Sequence, residues 1–167
     1  MQLSNSKYAH RQHIKGVSLI EVLVSLLILS LGLLGVAGLQ TTSLRGNQTA
    51  YFRSQATAAA SDIIDRMRAN PQGVAAGKYD DIDSASLPGD PNCIASGCSA
   101  ENLADYDILD WATNTLSSLP SGAGTVSVDD MGTNTDATDD VFVVTISWSD
   151  ATDQVNQDKN LVVHFQL

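Results

Sequence analysis

With 167 residues and a net charge of −10, the chain has room for one modest domain of about 130 residues beyond its apolar N-terminal stretch, too few for two. Beyond residue 70 there are 16 acids against Lys78 and Lys159 alone, a balance that repels a phosphate backbone and argues against nucleic acid as a partner of that domain. The two cysteines, Cys93 and Cys98, stand without further Cys or nearby His, which argues against a four-ligand zinc site.

Residues 1–16 show no hydrophobic periodicity and carry Lys7, Arg11 and Lys15 with no acid, the composition of a short leader whose cations keep it in the cytoplasm. His10 and His13 belong to this solvated stretch. Losing the leader takes the net charge from −10 to −13.

Residues 17–39 hold one charge, Glu21, in 23 positions. As a helix they reach roughly 35 Å, enough to cross a bilayer. A secretory signal has a shorter apolar core than this. A plain anchor accounts for the length but not for Glu21, since a carboxylate costs about 2.5 to 3.5 kcal/mol near a membrane centre and is normally paired or functional. Gly32, Gly35 and Gly38 each weaken the helix by about 1 kcal/mol relative to alanine, giving a soft segment. Close helix packing on small residues is the alternative use, although the spacing is not G-x-x-x-G.

After Gln40 the composition turns polar while the helical period continues through Phe52, Ala56, Ala59, Ile63 and Met67. The other face carries Arg53, Asp62, Asp65, Arg66 and Arg68, with Asp62 and Arg66 at a favourable i,i+4 spacing. Pro71 is expected to stop this helix at residue 70, about 50 residues after it begins. Residues 74–99 read as loop, with Pro88, Gly89, Pro91 and Gly97 as breakers around the cysteines. The cysteines lie across the membrane from the basic leader, on the side that is oxidising in a bacterial-type setting, so a small disulfide-closed loop is expected. A second helix is expected over residues 101–119, with Trp111 in the core beside Leu109 and Ala112, and strands over 125–128, 141–148 and 160–167. The fold class is therefore α+β: a long N-terminal helix, membrane-spanning and then amphipathic, packed on a small antiparallel sheet.

The segment Gly16-Val-Ser-Leu-Ile-Glu21 ahead of an unbroken apolar run resembles the class III signal of type IV prepilins. The helix end DRMRANP, the C-x4-C loop, the segment from Asp107 to Trp111, LSSLPSGAGTVSV and VTISWSD narrow the resemblance to minor pilins of the PilV type, over most of residues 16–148, the acidic loop over 129–140 and the tail after Asp150 being specific to this chain. Ser18 stands where threonine is usual at the second mature position, and Gly38 where many major pilins have proline. The resemblance implies cleavage by prepilin peptidase between Gly16 and Val17, N-methylation of Val17, and an assembly role for Glu21. It implies three parts: a leader over 1–16, a helix over 17–70 whose transmembrane half is 17–39, and a periplasmic pilin domain over 71–167. The implied partners are the peptidase, other minor pilins, the major pilin and the inner-membrane assembly platform. Before assembly the protein is expected in the inner membrane, N-terminus in the cytoplasm, and afterwards in a surface pilus, in a tip complex that starts the filament. Motility, DNA uptake and attachment remain open as the filament's purpose.

No nucleophile motif, phosphate-binding loop or metal-binding helix motif is present, so no enzyme, catalytic residue, metal or cofactor is expected. His164 lies in an alternating strand, a surface position. The acidic loop over residues 129–140 has oxygen ligands suited to Ca²⁺ without the EF-hand spacing, and reads as solvated. Two other functions share the main features: a minor pseudopilin of a type II secretion system, and a membrane-anchored periplasmic binding module that never assembles.

Overall fold

The computed structural model of the protein describes residues 16–129, 141–150 and 158–167. By its contacts the chain divides into two units, Met1–Ser43 and Leu44–Leu167, and helix α1, Leu19–Ala69, runs from the first into the second.

In the first unit α1 buries nothing. Its apolar side chains remain exposed, from 46% at Val22 to 77% at Leu19, and the most apolar 18-residue window of the helix has no buried share. The helix is long and apolar enough to cross a membrane. Its few hydroxyls close on the helix's own carbonyls. Ser25 Oγ donates to the Glu21 carbonyl at 2.7 Å, Ser30 Oγ to Leu27 at 2.8 Å, and Thr41 Oγ1 to Gly38 at 2.8 Å. Such back-bonding lets these hydroxyls lie in an apolar setting without water.

In the second unit α1 acquires a buried stripe of Ala56, Ala59, Ala60, Ile63, Ile64 and Met67. Three of these are alanines, so neighbouring backbone can come close at the start of the stripe. The helix ends where the Asn70 N–H reaches back to the carbonyls of Arg66 and Met67. Pro71 is expected to be a stop, and it is also a start: it opens a one-turn helix α2, Pro71–Ala75, at the position where its missing N–H costs nothing. Asn70 caps α2 by accepting from the Gly73 N–H at 3.1 Å. A Cβ at Gly73 would lie 2.5 Å from Asn70 Nδ2, so the cap requires glycine there.

Residues 74–99 are more regular than the breakers predict. They contain strand β1, Asp81–Asp83, and a single helical turn α3, Cys93–Ser96. β1 exists through pairing, Ile82 facing Val126, and three residues with two acids carry no strand signal of their own. The second helix, α4, spans Ala100–Asp110, capped by Ser99 Oγ accepting from the Asn102 N–H. It continues as a π-helical turn, Trp111–Thr115, and a 3-10 turn, Leu116–Ser118.

Strands β2, Ala123–Asp129, β3, Val141–Ser149, and β4, Asp158–Phe165, complete an antiparallel meander in the order β1-β2-β3-β4. β3 alternates strictly, burying Phe142, Val144, Ile146 and Trp148, and its register brings Phe165, Val163, Leu161 and Lys159 of β4 opposite them. Phe142 and Phe165 stack with ring centroids 5.4 Å apart. One core joins the α1 stripe, α4 and the sheet. Trp111 lies at its middle, fully buried, donating its indole N–H to the Ala59 carbonyl at 2.8 Å. Its ring rests directly on the Gly124 backbone of β2, which leaves no space for a Cβ there. The fold is α+β and pilin-like, as expected.

Candidate processing and assembly segment

Gly16, Val17 and Ser18 precede the first helical residue, lie outside regular structure and are exposed. The Gly16–Val17 peptide bond is therefore exposed and outside the helix. The helix begins on Ser18, whose carbonyl accepts from the N–H groups of Glu21 at 3.0 Å and Val22 at 3.3 Å. Glu21 occupies the first turn, where the helix dipole favours a carboxylate. Its side chain is exposed, and no ion pair involves it among the described residues. A Cβ at Gly32, Gly35 or Gly38 would meet nothing within 4 Å, so these glycines pack against nothing among the described residues.

Cys93 and Cys98 form a disulfide with their Cα atoms 5.0 Å apart, closing α3 into a small loop. Gly97, at φ 73°, supplies the turn that returns the chain. Trp111 is core, and His164 is exposed on β4. His10, His13 and residues 130–140 of the acidic loop lie outside the described residues. Among those described, no group of three or more His, Cys, Asp or Glu is placed to hold a metal ion.

The sequence points to Asp62 and Arg66 as a surface pair. The structure places Arg66 at the centre of a half-buried cluster joining α1 to α4. Arg66 Nε donates to Asp62 at 3.1 Å, Nη2 to Asp110 at 2.6 Å and Nη1 to Asp107 at 3.4 Å. The Tyr79 hydroxyl donates to the second oxygen of Asp107 at 2.7 Å, and Asn70 Nδ2 donates to the Tyr79 oxygen at 3.2 Å and to the Ala100 carbonyl at 2.7 Å. Thr115 donates to Asp62 at 2.8 Å and Asn114 to Asp110 at 2.7 Å. The spacing of Asp107 and Asp110, three apart on one helix face, was the available sign of a shared cation.

Burial pulls the Arg66 guanidinium down, yet its bonds to Asp62 and Asp110 outweigh this and hold it above the ordinary arginine range. Burial raises Asp107, against the opposing pull of Tyr79 and Arg66. Burial likewise raises Tyr79, reinforced by its bond to Asp107. Asp110 is lowered, first by the bond from Asn114 and then by Arg66. Every carboxylate in the cluster is already engaged by donors of this chain, so the arrangement is a structural clamp rather than a site for acid–base chemistry.

Two matches with known families bear on these features. Residues 11–37 match the prokaryotic N-terminal methylation motif, a stretch containing Gly16, Val17 and Glu21. Residues 38–109 match the family described as type IV pilin Tt1218, which takes in the helix beyond the apolar run, the disulfide loop and nearly all of α4, and leaves out strands β2 to β4. No curated protein and no solved structure matches the chain.

Proposed function

We propose that this type IV prepilin-like chain is a minor pilin of the PilV type, cut after Gly16 by prepilin peptidase and built in small amounts into the start of a pilus. The observation that carries the reading is the coincidence, within the methylation-motif match, of an exposed Gly16–Val17 bond with a single carboxylate, Glu21, on the apolar N-terminal stretch of α1, whose most apolar window buries nothing. A helix with that much exposed apolar surface needs lipid or neighbouring helices to cover it. A filament supplies the second after the membrane has supplied the first.

In this reading residues 1–16 are the leader, 17–39 the inner-membrane span, and 71–167 the periplasmic domain. Glu21 pairs with the N-terminal ammonium at Val17 of an adjacent subunit once cleavage has created it, which aligns each incoming subunit with the last. Other minor pilins, the major pilin and the inner-membrane assembly platform are the partners. The role is structural, with no chemistry of its own.

Deletion of the gene, scored for surface pili and for protein secretion, tests the reading. Loss of pili with secretion intact is the expected result. The opposite outcome makes the protein a pseudopilin, and a protein that stays unprocessed in the membrane with both functions intact makes it an anchored binding module.

A further inference from the structure

After Glu21, α1 carries charge of one sign until Asp62. From residue 22 to residue 61 the chain has two cations, Arg45 and Arg53, and no acid, whereas residues 62–167 hold 18 acids against four cations. Every described residue before Thr49 is exposed, and Thr49 is the first to be half-buried, donating to Asp150 at 2.8 Å. Arg45 lies one turn earlier on the same helix face, four positions before Thr49. It is exposed and forms no ion pair among the described residues.

The position of Arg45 along the helix is the decisive observation. It follows Leu39, the end of the apolar run, by six residues, a rise of roughly 9 Å. Headgroups occupy about 5 to 8 Å on each side of a hydrocarbon core about 30 Å thick. Side chains of a helix lean toward its N-terminus, so the Arg45 stem runs back toward the apolar run and its guanidinium reaches the headgroup layer. The hydroxyls of Thr41 and Thr42 both donate to the Gly38 carbonyl, which leaves Arg45 as the one charged group between Leu39 and Thr49.

We infer that Arg45 binds the phosphate of an anionic phospholipid in the leaflet at this end of the span. The inference rests on the membrane-span part of the pilin reading and on nothing about filaments. The planar guanidinium fork matches two phosphate oxygens. In a zwitterionic lipid the headgroup ammonium offsets the phosphate, and in an anionic lipid nothing does, so charge selects the anionic one. The selection matters to this chain because residues 62–167, with 18 acids, are repelled by an anionic surface, where Arg45 supplies an attractive contact. A second copy of the chain is a poorer occupant: standing at the same depth, it offers no acid between residues 22 and 61 and sets Arg45 against Arg45. Free phosphate lacks the bilayer that holds a lipid headgroup beside the helix at high local concentration.

The test uses the full chain, ¹⁵N-labelled, in nanodiscs of phosphatidylcholine with a rising share of phosphatidylglycerol, and follows the backbone amide of Gly46, next to Arg45. The Gly46 resonance is expected to move as phosphatidylglycerol replaces phosphatidylcholine. Arg45→Gln, a change at an exposed position, should raise the phosphatidylglycerol share needed for half the movement about fivefold, the effect of one cation at an anionic surface. Arg53→Gln, eight residues further on, should leave that share unchanged. Glycerophosphate added to the chain in detergent, at the same phosphate concentration, should leave Gly46 still. The leader's cations are the same in every variant, and the nearest, Lys15, is 30 residues from Arg45. An unchanged half-response in Arg45→Gln, an equal loss in Arg53→Gln, or an equal response to glycerophosphate overturns the proposal. So does a Gly46 resonance that follows the number of copies per nanodisc instead of the lipid, which assigns Arg45 to a neighbouring subunit. A chain that inserts and ignores phosphatidylglycerol sinks this inference alone, and a chain that does not insert sinks the membrane-span reading with it.

Discussion

Arg66 and Glu21 show how one charge behaves with and without partners in its own chain. Arg66 has three carboxylates within 3.4 Å, and its loss strands them in a half-buried setting. Arg66→Gln is expected to destabilise the domain by about 2 to 3 kcal/mol, measured by urea unfolding. Asp107 gives the cluster a pH signature. Because burial raises its folded pKa, folding favours the protonated form. Its contribution is fully present below the ordinary value of 3.8 and is lost as pH rises through the folded pKa. Asp110 is lowered and contributes the other way: its stabilisation is present above the ordinary value and lost as pH falls through its folded pKa. Over the window from 3.8 to the raised Asp107 value, the wild type should therefore lose stability relative to Asp107→Asn as pH rises. Urea midpoints for both proteins across that window check the sign. Glu21 has no such partners among the described residues. In the pilin reading its partner belongs to another subunit, so Glu21→Val should leave cleavage and membrane insertion intact and abolish association, a loss of several kcal/mol when one member of a buried pair is removed. Co-purification of neighbouring minor pilins from solubilised membranes checks it; undiminished association would confine Glu21 to the peptidase or insertion step.

Among the elements, α3 and the glycine segment of α1 each depend on a local device. A disulfide closing so small a loop stabilises by only about 2 kcal/mol through loop-closure entropy. The Cys93–Cys98 bond joins α3 to its own C-terminal flank and does not link the core elements. Replacing both cysteines by serine should raise hydrogen exchange over residues 93–98 while leaving α4 and the sheet protected. Gly32, Gly35 and Gly38 present the reverse case. A methyl group at each meets nothing, so alanine should be tolerated by the isolated protein and should strengthen the helix by about 1 kcal/mol per site. If this segment must stretch during assembly, the triple alanine variant will be helical, processed and poor at forming pili. If the glycines serve close packing, filament loss should instead track side-chain size, with serine and alanine tolerated and leucine not.

For the whole molecule, the long exposed face of α1 is the dominant fact. Apolar side chains from residue 17 to 39 lack cover from the described residues, whereas the second unit has a closed core. The mature protein is expected to begin at Val17, N-methylated. Intact mass from cells with and without the peptidase should differ by residues 1–16, and a bulky substitution at Gly16 should trap the longer form. A mass that retains the leader in peptidase-positive cells removes the basis of the pilin reading.

The sequence alone determines the membrane-length helix, its amphipathic continuation and the three longer strands. Each announces itself through a period that its own residues carry: the unbroken run from 17 to 39, the spacing of Ala56, Ala59, Ile63 and Met67, and the alternation from Val141 to Trp148. It also places Trp111 in the core, because a large apolar ring at helical spacing beside Leu109 and Ala112 has few other places to go. Tertiary structure decides what depends on residues far apart. β1 is a strand only because Ile82 finds Val126, and Pro71 begins a helix because Asn70 and Gly73 fold into a cap. Arg66 becomes a clamp because α4 brings Asp107 and Asp110 beside it, 41 and 44 positions along the chain.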